Sequence, residues 1–327
     1  MTYARPQKPR FFTDNVNAMK INGYAKTDII GDEAGTFNTG YDEFDLFDLN
    51  PLNVGSWNTS GNTGTHIVIS VDLGDSGFTT DYFACLNHNL NTAEGGIRIA
   101  YSGTPISAAG SGNSVVLDTQ YLNATESGTP NQIEPSADGD TVFSFTARTE
   151  RYWIIEIYDL TAFSGTDLEI GSFILGEMYS LPNAPDLNVT HDFSVDGVQI
   201  SESIGGKRFS NPDWIKANNN SGTNYIPFRR DIGAQQLPGR ERFSLSYSFI
   251  SDDDLLPSNL GAPTGDNFAT DVLAKTGWHT LPFIFTIDDT STTQGDYMFA
   301  RFMSNSFSVT QVAWRVYNMA FSVEQEF

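Results

Sequence analysis

The sequence predicts a mostly β protein: an N-terminal β-sandwich of jelly-roll type followed by a second β-sandwich domain with one helix. Three observations point to it. Aromatic residues make up 13% of the chain, with 24 Phe and 13 Tyr, enough to furnish packed cores. The 29 Gly and 14 Pro, with frequent Asn, Ser and Thr, imply many turns. Between those turns short β-branched and aromatic runs recur with the period of strands rather than helices. A chain of 327 residues is long enough for two ordinary domains.

Residues 1–34 read as an extended N-terminal arm, because Arg5-Pro6 and Lys8-Pro9-Arg10 favour extended backbone, and Phe11-Phe12 supplies an aromatic anchor. Residues 35–182 read as the first sandwich. Its strands are His66–Leu73, Tyr82–Leu86, Ile97–Tyr101, Ser114–Leu117 and Thr141–Phe145. It closes with Tyr152–Tyr158 and Leu168–Leu175, read as an antiparallel pair. Residues 183–327 read as a β-rich assembly domain, entered through Pro182-Asn183-Ala184-Pro185. Strands are expected there at Val195–Ile200, Arg242–Ile250, Leu281–Ile287 and Tyr297–Met303, with a final long strand at Val312–Val323. One helix, about 267–277, has Asp266 or Asn267 as N-cap and Gly277 as terminator.

The formal charge of −22 repels phosphate, so no nucleic-acid partner is expected. Residues 27–97 contain acids and no Lys or Arg, whereas residues 207–242 reverse the sign locally. Arg229, Arg230, Arg240 and Arg242 are therefore the expected subunit-interface cations, since guanidinium grips carboxylates in pairs. No run approaches the ~18 apolar residues of a membrane helix, and residues 1–15 lack the apolar segment of a secretory signal. No membrane insertion is expected. The single Cys85, inside an apolar run, reads as a buried small hydrophobe and excludes a disulfide framework.

Asp81-Tyr82-Phe83-Ala84-Cys85-Leu86-Asn87-His88-Asn89-Leu90, the Ile97–Tyr101 strand and the closing Tyr152–Ile157 and Leu168–Gly176 strands resemble the galactose-binding-like sandwich of tail-associated virion proteins of tailed phages. The order helix, Trp278–Phe285, Tyr297–Phe302 and a terminal strand ending Phe321–Glu326 is similar to distal tail proteins. The resemblance implies a virion structural protein of the tail tip, baseplate or fibre junction, made in the host cytoplasm without a signal peptide. Other tail proteins would be its partners, and the chain would form a homo-oligomeric ring through heterologous faces. The alternative is a glycan-binding adhesin or decoration protein on the host-facing surface.

No enzyme and no cofactor is expected. Gly74-Asp75-Ser76-Gly77 matches the core of a serine-protease signature but lacks a suitably placed base, and reads as a turn. The four histidines show no metal-ligand spacing, so no metal is expected. Asp252-Asp253-Asp254 lacks the spaced loop of a calcium site and reads as a solvated turn. The carbohydrate-binding candidates are Trp57, Asn87, His88 and Asn89, since sugars need amide or imidazole groups beside an aromatic platform. The competing reading is a turn held by Asn87 and Asn89, with His88 ending a strand.

Overall fold

The computed structural model describes residues 7–34, 37–57, 66–74, 78–106, 112–126, 131–159, 167–193, 200–210, 240–258, 266–304 and 307–326. Its organising element is the short strand Arg10–Asp14. One edge pairs antiparallel with Leu168–Ser180, from Arg10 opposite Ser180 to Asp14 opposite Gly176. The other edge pairs with Phe283–Thr286, Phe11 lying opposite Phe285. The strand thereby joins the first half of the chain to the second in one 12-stranded sheet.

On the first-half side the sheet runs from Arg10–Asp14 through Leu168–Ser180, Thr80–His88 and Gly139–Arg148 to Thr119–Leu122. On the other side it runs through Phe283–Thr286, Tyr297–Phe302, Val316–Gln325 and Glu241–Ser251 to Thr190–Phe193. A second, seven-stranded sheet is built around Ile67–Asp72, Tyr152–Asp159 and Gly95–Ser102. Its Ile69, Ile99, Trp153 and Ile155 pack against Phe83, Cys85, Phe143 and Phe173 of the large sheet. That packing is the β-sandwich of the first half, and Cys85 is buried in its core.

Successive side chains on a strand alternate faces, and this sorts the cores. Phe173 and Leu175 face the sandwich core, while Tyr179, further along the same face, belongs to the second-half core. Phe11, opposite Tyr179, enters that second core, where its ring meets Phe268 at 5.4 Å. Phe12 points the other way, into a cluster with Tyr82, Ile174, Ile284 and Phe299, drawn from both halves. Both phenylalanines are fully buried, worth about 1.5–3 kcal/mol each. The sequence-read anchor is thus a pin through both faces of the sheet.

Gly176 makes the joint geometrically feasible. A Cβ there would lie 1.7 Å from the Thr13 carbonyl oxygen, so only glycine lets the two strands close. Gly171 plays the same part for the loop at Pro51, whose carbonyl oxygen would stand 2.2 Å from an added Cβ.

Four expectations are corrected. The N-terminal segment is not an extended arm throughout: Asp14 caps a helix at Asn15–Ile21, accepting from the Val16 and Asn17 amides at 3.1 Å. A one-turn helix follows at Lys26–Ile29. Tyr152–Asp159 and Leu168–Ser180 are not partners but lie in opposite sheets: the first pairs with Ile67–Asp72 and Gly95–Ser102, the second with Arg10–Asp14 and Thr80–His88. The expected strand Val312–Val323 is a hairpin, Ser308–Ala313 and Val316–Gln325, turning at Trp314-Arg315 where Arg315 adopts φ 57°. The expected helix is present as a π-helical stretch at Ala269–Ala274, and its core-facing Phe268, Val272 and Leu273 are buried.

Candidate functional site

A cleft of about 940 Å³ lies in the second half. Its lining includes the apolar Trp278, Met303 and Phe307 and the polar Asn188, Asp192 and Ser246. Trp278 is there because the π-helical stretch ends abruptly. Gly277 at φ 56° and Trp278 at φ 67° reverse the chain in left-handed conformation. The Trp278 amide closes the end by donating to the Leu273 carbonyl at 2.9 Å. A bulky residue at positive φ costs about 1–3 kcal/mol, strain that clusters at functional sites.

The reversal leaves the Trp278 ring 46% exposed, with its centroid 6.5 Å from that of Phe307. The next turn is fixed by Arg301, which donates to the carbonyls of His279 and Thr280 while its fork holds both oxygens of Glu326 at 2.8 Å. Ser244 and Ser322 also line the cleft, their hydroxyls 2.8 Å apart. Asp192 is the one carboxylate among the described residues that line the space. The arrangement presents an aromatic platform and short-reach hydroxyl, amide and carboxylate groups on a pinned backbone.

The sequence-predicted carbohydrate site is in the other half and faces inward. Trp57 belongs to the strand Gly55–Trp57, is 1% exposed, and lies against Phe37 with centroids 4.4 Å apart and the rings tilted by 32°. No ring face remains for a sugar, which corrects its reading as an aromatic platform. His88 is buried, and burial pushes its imidazole down to about 4. Its Nδ1 accepts from the Leu90 amide at 3.3 Å, so the Nε2 proton is directed at the Thr141 hydroxyl 2.7 Å away. The neutral ring is a structural bridge rather than a ligand group. Asn87, at φ 52°, donates to the Pro51 carbonyl at 2.7 Å. Asn89 bonds both ways, to the Asp167 carbonyl and from the Glu169 amide, each at 2.8 Å. The topology does bring these residues together, Gly55 and His88 flanking Ile170, but it commits the polar side-chain atoms of Asn87, His88 and Asn89 to the fold.

Arg229 and Arg230 lie outside the described residues, as does Ser76. Arg242 donates twice to Glu324 Oε2, at 2.6 and 3.2 Å, and Arg240 approaches the same side chain at 3.6 Å. These two interface candidates already have an internal partner. Asp252 and Asp253 are likewise held by Arg315, beneath the hairpin turn.

In the sequence Trp278-His279 stands out only as part of a strand order. The available signal was a helix terminator, Gly277, followed at once by Trp, which placed an aromatic in a turn.

No protein-family model matches the chain, and no curated protein sequence matches it. Among solved structures it is similar to chitosan-binding module 1 of a chitosanase/glucanase from Paenibacillus sp. IK-5, at 15% identity over 45% of this chain and 93% of that chain, with TM-score 0.33. A carbohydrate-binding module of a family 31 glycoside hydrolase from Clostridium perfringens gives 13%, 45%, 94% and 0.32 in the same order. A two-domain structure from Clostridium perfringens ZmpB gives 8%, 98%, 95% and 0.29. Likenesses of this size do not assign a ligand to the cleft.

Proposed function

We propose that this chain is a non-catalytic binding protein that holds a glycan in the second-half cleft. The observation that carries the reading is Trp278, fixed at φ 67° and half-exposed at a cleft lined by hydroxyl, amide and carboxylate side chains. The apolar C–H face of a sugar ring stacks on an indole, while its hydroxyls exchange hydrogen bonds with short polar side chains. Glycoside hydrolysis ordinarily needs two carboxyl groups flanking the bond, and Asp192 is the only carboxylate lining the cleft among the described residues. That supports binding without turnover.

A glycan array followed by calorimetry tests this. Saturable binding with Kd at or below about 0.1 mM, weakened at least about tenfold by Trp278→Ala, is expected. Absence of any glycan ligand, or equal binding by the folded variant, would overturn it.

A second reading, a structural protein of a phage tail tip, baseplate or fibre junction, is favoured by one different observation. The hairpin turn presents Trp314 with 86% of its surface exposed, on a base held by the Arg315 ion pairs to Asp252 and Asp253. Rigidly presented tryptophans are characteristic anchors of protein interfaces. Sedimentation of the wild type and Trp314→Ser separates the readings: assembly lost in the variant supports this one, and a monomeric wild type removes its support.

A further inference from the structure

Between the two inner cores, the joint buries charge instead of hydrocarbon. Along Leu168–Ser180 the inner face passes from Leu175 in the first core to Glu177 and then to Tyr179 in the second. Asp81 lies on the same face of the neighbouring strand, and its Oδ1 accepts from the Met178 amide at 2.8 Å. The π-helical stretch closes over this gap. Its Asp271 and the following Lys275 are only 6% and 7% exposed, and the ammonium of Lys275 bonds Glu177. The Thr13 hydroxyl lies 3.1 Å from the carbonyl oxygens of both Glu177 and Asp271, tying the joining strand to the same spot.

Three carboxylates therefore share one buried ammonium. The other charged groups facing them do not restore neutrality. Arg10 acts on Asp81 from the far end of the joining strand, whereas Asp266 adds a further negative charge near Asp271. We propose that this cluster is a proton-dependent latch: protons held on Asp81 and Asp271 keep the two halves closed along the joint, and their loss above neutral pH loosens it.

Burial, and then the charge of Glu177, pushes Asp271 up to about 7. Burial, with Glu177 adding to it, pushes Asp81 to about 7 as well. In an opened joint both would return toward the ordinary 3.8. The closed form thus binds more protons than the open form between these limits. Closure is favoured toward acid pH and weakens as pH rises through about 7. The latch does not depend on what occupies the Trp278 cleft.

Hydrogen exchange of the full chain tests it, read at the amides of Arg10–Asp14 and Phe283–Thr286 and corrected for intrinsic rates. Between about pH 6 and about pH 8.5, wild-type protection of these amides should fall at least about tenfold. Asp81→Asn with Asp271→Asn, which mimics the protonated acids, should show no such fall. An unchanged wild type, or the same fall in the folded variant, overturns the proposal. Should the variant not fold, carbon-13 NMR titration of the wild-type aspartate carboxyls decides: midpoints near 7 support the latch and midpoints near 4 overturn it.

Discussion

Trp57 with His88 in the first half and Trp278 with His279 in the second are built from the same residue types and end in opposite roles. Trp57 sits on a strand paired with Leu168–Ile170, its ring against Phe37, at 1% exposure. Trp278 sits where a helix stops and the chain reverses, at 46% exposure. His88 is locked between the Leu90 amide and the Thr141 hydroxyl, whereas the His279 side chain is exposed. An aromatic beside a histidine becomes a core element or a candidate ligand platform according to the backbone that carries it.

Substitution should separate the two sites by what is lost. Trp57→Ala is expected to cost about 3–5 kcal/mol of stability, as truncation of a fully buried tryptophan does, measurable by urea unfolding. It should change glycan binding only through unfolding. A loss below ~1 kcal/mol would mean that the Trp57 ring is not packed as described.

The pH dependence of the first site is the next largest effect. His88 is held near 4 when folded, against an ordinary 6.5. Its contribution is therefore fully present above 6.5 and is lost as pH falls through that value toward 4. The window corresponds to about 3 kcal/mol. His88→Gln should flatten this acid limb, and persistence of the full slope in the variant would show that other groups cause it. The joint carboxylates have the opposite sign in an overlapping range, so the wild-type profile alone underestimates both.

Trp278→Ala should lower stability by only about 1 kcal/mol, since half of the ring is already in water, while binding falls by the larger factor given above. A loss comparable to that of Trp57→Ala would make Trp278 a core residue instead. The smallest effect belongs to Arg242→Ala. Its contact with Glu324 is partly solvent-screened, with side chains 37% and 25% exposed, and Arg240 remains beside Glu324. A change within about 1 kcal/mol is expected on thermal unfolding.

Much of the fold was legible in the chain itself. The alternation in Ile67–Asp72, the apolar run around Cys85 and the helix ending at Gly277 each express a local period or a local terminator. Charge and the adjacent Phe11-Phe12 pair were equally plain, because they need no knowledge of distant residues. Partnership was not legible. Period-2 alternation states that two faces differ, but not which strand lies alongside. Nothing local showed that Tyr152–Asp159 and Leu168–Ser180 face each other across a core, or that Phe12 lies between Met178 and Ile284, 166 and 272 positions further on. Tertiary structure also decided exposure. Trp57 was buried by Phe37 and Leu168, and Arg242 was paired by Glu324, each partner arriving from elsewhere in the chain. The sequence by itself determined which residues were able to bind; long-range closure of the sheet decided which of them still face solvent.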